Sequence, residues 1–159
     1  MNQSRNLLRV NAGFLLNQPI GSSRDIHFDY DQIHVNPDLD LSHFSGITRL
    51  TRTPQGVLVM GDFKAELQAE CVRCLEPFLQ PLHAEFTDLY ALKGHGFTES
   101  GLTLPEDANI DFTPLVWEYM NLDIPIKALC RPDCKGLCVV CGTNLNEETC
   151  EHQNYVLEE

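Results

Sequence analysis

Five of the seven cysteines in this chain lie between Cys130 and His152, in the run CRPDCKGLCVVCGTNLNEETCEH. No other stretch restricts the fold as much, because thiols this closely spaced must bind a metal, pair as disulfides or be buried. The sharpest part is Cys138-Val139-Val140-Cys141-Gly142. Two thiolates separated by two residues can face one tetrahedral ion from a tight turn, and a glycine directly after them can take the positive φ such a turn often needs. Soft thiolate donors in a tetrahedral arrangement select zinc from the common divalent ions.

The compartment decides between metal and disulfide. The opening MNQSRNLLRVN has neither an apolar core nor a small-residue cleavage site, so it does not read as a secretory signal. No apolar run approaches the roughly 20 residues that span a bilayer. The expectation is a cytoplasmic protein, where an odd set of seven cysteines means metal ligands or redox thiols and not a disulfide framework.

Charge narrows the partners. The net charge is −12, and it is concentrated in one half. Up to Leu75 there are 7 basic and 8 acidic residues; from Glu76 onward there are 4 basic and 15 acidic. Such a surface repels phosphate backbones unless its cations gather on one face. It argues against a general nucleic-acid binder and against a zinc-dependent transcription or nuclease module. It leaves room for one local contact with nucleic acid, or for a basic protein as partner.

Along the chain, 159 residues with 43% hydrophobic composition predict one domain, or one domain with a small appendage. Residues 6–16 suit a strand or a short helix. Ile26, Phe28 and Tyr30 alternate with polar residues and predict a half-buried strand that Asn36-Pro37-Asp38 breaks. A second strand is expected over Phe44–Thr53, ending in the turn Thr53-Pro54-Gln55-Gly56. Val57, Val59, Phe63, Ala65, Leu67, Ala69 and Cys71 then occupy odd positions, with Gly61 as a candidate bulge. After Cys71-Val72-Arg73-Cys74 the alternation resumes on even positions at Phe78, Leu82, Ala84, Phe86 and Tyr90. That places the first cysteine pair at the end of a long hairpin, where it either binds metal or simply closes a strand. Lys93–Asn109 reads as a surface loop, with His95 exposed in it. One helix follows, capped by Thr113, with Pro114 in its first turn and Pro125 ending it. Leu115, Tyr119 and Leu122 are expected on its buried face, and Trp117 and Met120 as core or rim packing. The tail after Tyr155 is acidic.

Six candidate ligands crowd the last segment, and one tetrahedral site takes four. Cys138 and Cys141 are the firmest, and Cys134 and Cys150 bracket them at short range. Cys130 or His152 can replace either. Adding Cys71 and Cys74 gives eight candidates, enough for two zinc ions, although a single site is the simpler expectation. Four protein ligands leave no open position, and neither an H-E-x-x-H sequence nor a nucleophile motif is present, so the ion is expected to be structural. Its binding free energy would fold a segment poor in apolar residues. Lys127, Arg131 and Lys135 stand around these ligands. They offset surplus thiolate charge or form the one basic spot on an acidic protein.

These residues resemble a known family. An alternating strand, then CVRCLEPF, further strand, an acidic loop, a helix of the form DFTPLVWEYMNLDIP and finally LCRPDCKGLCVVCGTNLNEETC is similar to the YceD family, the large ribosomal RNA subunit accumulation proteins of bacteria and plastids. The likeness runs from about residue 6 to 152. It implies a role in accumulation or processing of large-subunit ribosomal RNA, with no established enzymatic activity. Some members lack most of the C-terminal cysteines, which implies that the metal serves stability. Relatives that keep the segment often end it Cys-x-Cys, where this chain has His152.

The expected fold is therefore α+β: a mainly antiparallel sheet, with closure into a barrel as an option, one main helix, and a zinc-bound C-terminal segment. The expected boundaries are a β-rich core over residues 1–129 and a zinc-binding segment over 130–154 packed on it. The function expected is a non-enzymatic ribosome-biogenesis factor. Its partner would be a basic ribosomal protein or assembly factor, or the large-subunit rRNA precursor, with no membrane and no small-molecule substrate. The rival is a thiol–disulfide redox protein using Cys71 and Cys74, with Arg73 lowering a thiol pKa. Such a motif belongs before a helix in a βαβ unit, whereas the flanks here alternate like strands.

Overall fold

The computed structural model describes residues 7–35, 37–94 and 101–152. The expectations for His95 and for the tail beyond Tyr155 lie outside these residues, as do Asn36 and residues 1–6. The elements in chain order are β1 (Arg9–Asn11), α1 (Gly13–Leu16), β2 (Ser23–Val35), β3 (Leu39–Arg52), β4 (Gly56–Glu70), β5 (Pro77–Ala91), β6 (Asn109–Asp111) and α2 (Thr113–Asp123). No described helix is long and apolar enough to cross a membrane.

The chain divides into two compact units: Met1–Glu66 with Pro81–Asp123, and Leu67–Gln80 with Ile124–Glu159. A boundary drawn after Leu129 would leave Cys71 and Cys74 with the sheet; the compact units place them with the later cysteines.

Four long strands pair antiparallel or neighbour each other in the order β2-β3-β4-β5, and β1 pairs with β6 in a separate two-stranded sheet. The larger sheet is open among the described residues, since β2 and β5 are its two ends. Barrel closure is thus not found. The sequence alternation puts aromatic rings on the buried face: Phe28, Phe44 and Phe63 on β2, β3 and β4, and both Phe86 and Tyr90 on β5. Phe63 of β4 stands centrally, with ring centroids 5.5 Å from Phe28, 5.2 Å from Phe44 and 5.9 Å from Phe86. Phe86 in turn meets Tyr119 of α2 at 5.3 Å. Offset or tilted ring pairs at these separations add to the area they bury.

Two details differ from the sequence reading. The register of β3 on β4 slips between Ser42 and Ser45, where His43 takes φ +48°, so the bulge lies in β3. Gly61 pairs regularly with Thr48. Its role is space: a Cβ there would stand 2.5 Å from the tip of the Phe86 ring. Gly61→Ala should therefore destabilise the first unit by about 1–3 kcal/mol, the usual cost of overpacking. A lower urea midpoint is the expected reading, and an unchanged one would mean that the ring can move aside.

α2 starts at Thr113, whose backbone N–H donates to the Asp111 carboxylate at 2.9 Å, so Asp111 supplies the cap that the sequence assigned to Thr113. Leu115, Val116 and Met120 are buried, whereas Leu122 is 74% exposed and leaves the expected apolar face. Trp117 donates its indole N–H to Asp38 at 3.0 Å, which ties the helix to the turn before β3. Residues 6–16, open between strand and helix, supply both: β1 and then α1.

Candidate metal centre

Among the described residues the second unit buries few apolar side chains other than cysteine, and Val72, Leu75, Leu79, Ile126, Val139 and Val140 are exposed. Its buried cluster is Cys71, Cys74 and Cys134, with Phe78, Leu129 and Cys130 packed against them. Sulfur therefore stands where a larger unit would place leucine or phenylalanine. All seven cysteines are free thiols.

The eight candidate ligands sort into two groups. Cys71, Cys74, Cys130 and Cys134 form one, and Cys138, Cys141, Cys150 and His152 the other, with the ligand atoms of each group within 4.8 Å of one another. In the first group the Cys71 and Cys134 sulfurs are 3.7 Å apart, and those of Cys74 and Cys130 are 3.8 Å apart. A disulfide needs about 2.05 Å. A tetrahedral zinc with Zn–S bonds of about 2.3 Å sets its sulfurs about 3.8 Å apart. The observed separations match the edge of that tetrahedron, so the residues fit the ion. Four cysteines, and three cysteines with one histidine, are both familiar donor sets of structural zinc.

Local chemistry explains why these sulfurs converge. Between β4 and β5, the Cys71 N–H donates to the Glu76 carbonyl at 3.0 Å and the Leu75 N–H to the Cys71 carbonyl at 2.9 Å, closing a tight turn. Leu75 takes φ +61° to do so, a conformation that costs a branched residue energy and that the surrounding bonds must hold. In the second group the Gly142 N–H donates to the Cys138 carbonyl at 2.9 Å, and Gly142 adopts φ +74°. Here the glycine after the second cysteine serves as the sequence predicted.

Each turn also supplies hydrogen bonds to its thiolates. The Cys74 amide, followed by burial that opposes it and by the Cys130 and Arg73 amides, brings the Cys71 thiol down to about 6. The Thr143 hydroxyl and amide, then the His152 ring, bring Cys141 down to about 6. The Asn146 side-chain amide, opposed by burial and aided by the Gly136 amide, lowers Cys134. Burial first, and then neighbouring thiols, push Cys130 up to about 12. The amide two residues after a cysteine, or three at Cys71, recurs as donor at Cys71, Cys74, Cys134, Cys141 and Cys150, although at Cys74 and Cys150 burial and neighbouring thiols outweigh it and push the thiol up. Amides aimed at sulfur stabilise thiolate, the form a metal takes.

The four ligands that looked firmest in the sequence do not stand together. Cys134 lies in the first group, and His152 takes the fourth place in the second. Cys130 and Cys134, with three residues between them, are themselves a ligand pair, so the chain carries four pairs; which pairs come together is set by the turns that meet and not by their spacing. Thr143 and Asn146, which donate to the sulfurs, were not legible as site residues, because uncharged side chains between ligands carry no distinguishing pattern. Lys127, Arg131 and Lys135 are all exposed, and Arg131 lies 3.6 Å from Asp133.

Comparison with known proteins agrees with this arrangement of motifs. Residues 59–158 match the family described as large ribosomal RNA subunit accumulation protein YceD. An uncharacterized protein of Mycobacterium tuberculosis (strain ATCC 25618 / H37Rv) is 31% identical over 144 residues, covering 88% of this chain and 67% of the relative. A chloroplastic protein of Zea mays, named large ribosomal RNA subunit accumulation protein YCED homolog 1, is 26% identical over 150 residues, covering 73% of this chain and 48% of the relative. Its Arabidopsis thaliana namesake is 40% identical over 47 residues, which is 30% of this chain and 15% of the relative. No solved structure is a significant match. From a family match over nearly two thirds of its length and a relative aligned along most of it, the chain belongs to the YceD family.

Proposed function

We propose that this protein is a non-enzymatic, cytoplasmic factor that supports accumulation and processing of large-subunit ribosomal RNA during ribosome assembly, and that zinc staples its second unit. The observation that carries the metal part is the sorting of eight donors into two complete sets of four. A set of four protein ligands leaves no position for substrate water, which favours a structural over a catalytic ion. The zinc would supply cross-linking only: Cys71, Cys74, Cys130 and Cys134 would hold one ion, and Cys138, Cys141, Cys150 and His152 the other.

The partner follows from charge. With 15 acidic residues against 4 basic ones from Glu76 onward, the surface favours a basic ribosomal protein or assembly factor over naked RNA. Complementary charge of this kind speeds encounter and fades with salt. The redox alternative is less well supported, since the sulfurs of Cys71 and Cys74 each face a cysteine from another segment.

Depletion in vivo should reduce mature large subunits on sucrose gradients while small subunits persist. Binding to the captured basic protein should weaken as salt is raised. Unchanged large subunits would overturn the ribosomal role, and tight capture of naked ribosomal RNA without a basic protein would overturn the partner.

A further inference from the structure

The two ligand groups are joined by one short hairpin. Its first arm runs from Cys134 to Cys138 and its second from Gly142 to Asn146. The Cys138 N–H donates to the Thr143 carbonyl at 2.8 Å, and the Leu145 N–H donates to the Gly136 carbonyl at 2.9 Å. Leu137 and Asn144 pair antiparallel between these bonds. The tip of the hairpin is the Cys138–Cys141 turn, in the second ligand group. Its base holds Cys134, in the first.

Asn146 closes the base. Its side-chain amide donates to the Cys134 sulfur at 3.3 Å and to the Asn144 side-chain oxygen at 3.0 Å. Its oxygen accepts the Lys135 N–H at 2.8 Å. Both amide hydrogens and the oxygen are thus engaged, and an aspartate here would have no hydrogen to give. Asn146 lies within the loop from Cys141 to Cys150, whose two ends are ligands of the other group. The first turn adds a second tie: the Leu137 N–H donates to the Arg73 carbonyl at 3.1 Å, and the Arg73 guanidinium donates to the Cys134 carbonyl at 2.9 Å.

On this geometry, and resting on the metal-binding reading above, we infer that the two centres bind metal cooperatively, with Asn146 as the positioning residue that links them. An ion on Cys138, Cys141, Cys150 and His152 fixes both ends of the loop that carries Asn146. The fixed loop delivers a donor to Cys134 at no further ordering cost, and so tightens the first centre. Removing such an outer donor typically costs 10–100-fold in metal affinity. Coupling is reciprocal, so occupancy of the first centre tightens the second by the same factor.

The test is a double-mutant cycle on the full chain, read by zinc competition against a chromophoric chelator. Cadmium-113 NMR tells the all-sulfur site from the one with an imidazole ligand. Asn146→Ala should weaken the first centre about tenfold or more. It should also weaken the second centre, none of whose ligands it touches. Removing the second centre with Cys138→Ser and Cys141→Ser should weaken the first comparably, and adding Asn146→Ala to that background should do little more. If Asn146→Ala costs the first centre equally in both backgrounds, or leaves the second centre unmoved, Asn146 is a local donor and the coupling is wrong. Should the double serine variant fail to fold, the response of the second centre to Asn146→Ala alone still decides. A wild-type chain that binds neither cadmium nor zinc would instead overturn the metal reading itself.

Discussion

Replacing Cys134 with serine should lower the bound zinc from the proposed two ions per chain to one and strip the second unit of its protection from protease. The reason is the poverty of that unit's core, which is built around Cys71, Cys74 and Cys134 themselves. A structural zinc contributes roughly 10–16 kcal/mol to small domains that bind one at neutral pH. That matches or exceeds the entire stability of a typical domain, about 5–15 kcal/mol. Loss of one ion therefore outweighs whatever the few packed side chains supply. Cys138→Ser should also leave one ion, and the two substitutions together none. Native mass spectrometry with metal analysis reads all three numbers directly. A single shared site, the simpler expectation from the sequence, gives a different series: one ion in the wild type and none in either variant.

Phe63→Ala is the most damaging single change expected in the first unit, at about 3–5 kcal/mol. Phe63 is fully buried and meets three other rings, one on each of β2, β3 and β5. Its ring also covers Gly46, where a Cβ would stand 2.4 Å from the nearest ring carbon. The cavity cannot be refilled from that side, because the same Cβ would meet the Asp62 carbonyl at 2.4 Å. Gly46→Ala should thus fail to rescue Phe63→Ala. Urea denaturation followed by ring fluorescence or circular dichroism provides the measurement. The zinc content of the folded fraction should stay at the wild-type value, since no ligand lies in the first unit.

The long strands were legible because burial on one face enforces strict alternation. The odd-position run over β4 and the even-position run over β5 each predict a strand within a residue or two of what forms. β3 was seen only from Phe44, and the bulge explains why. Leu39 and Leu41 are buried on odd positions and Phe44, Thr48 and Leu50 on even ones, so a single alternating template fails across the slip at Ser42. Open against closed sheet was not legible, because alternation fixes which face a residue takes and says nothing of which strands become neighbours. At the metal centre, the ligand types were readable and their grouping was not. Grouping depends on which turn meets which: Cys71 and Cys134 pair across 63 residues of chain, a distance at which spacing carries no information. Leu122 misled for a related reason, since its helix position suits the apolar stripe but the helix packs through Val116 and Met120 instead.

The span of the first ligand group has a consequence for synthesis. Its ligands straddle all of β5, β6 and α2, whereas those of the second lie within the last turns of the described chain. In a chain released from denaturant, the local quartet closes fast and the distant one waits for its long loop, as loop-closure entropy requires. In a chain still being translated the order is reversed in availability: Cys134 emerges before Cys138, with its three companions already made. A nascent chain could then capture its first ion while the donor at Asn146 is still to be added, and residues 138–152 would act as a latch that arrives after the clasp has shut.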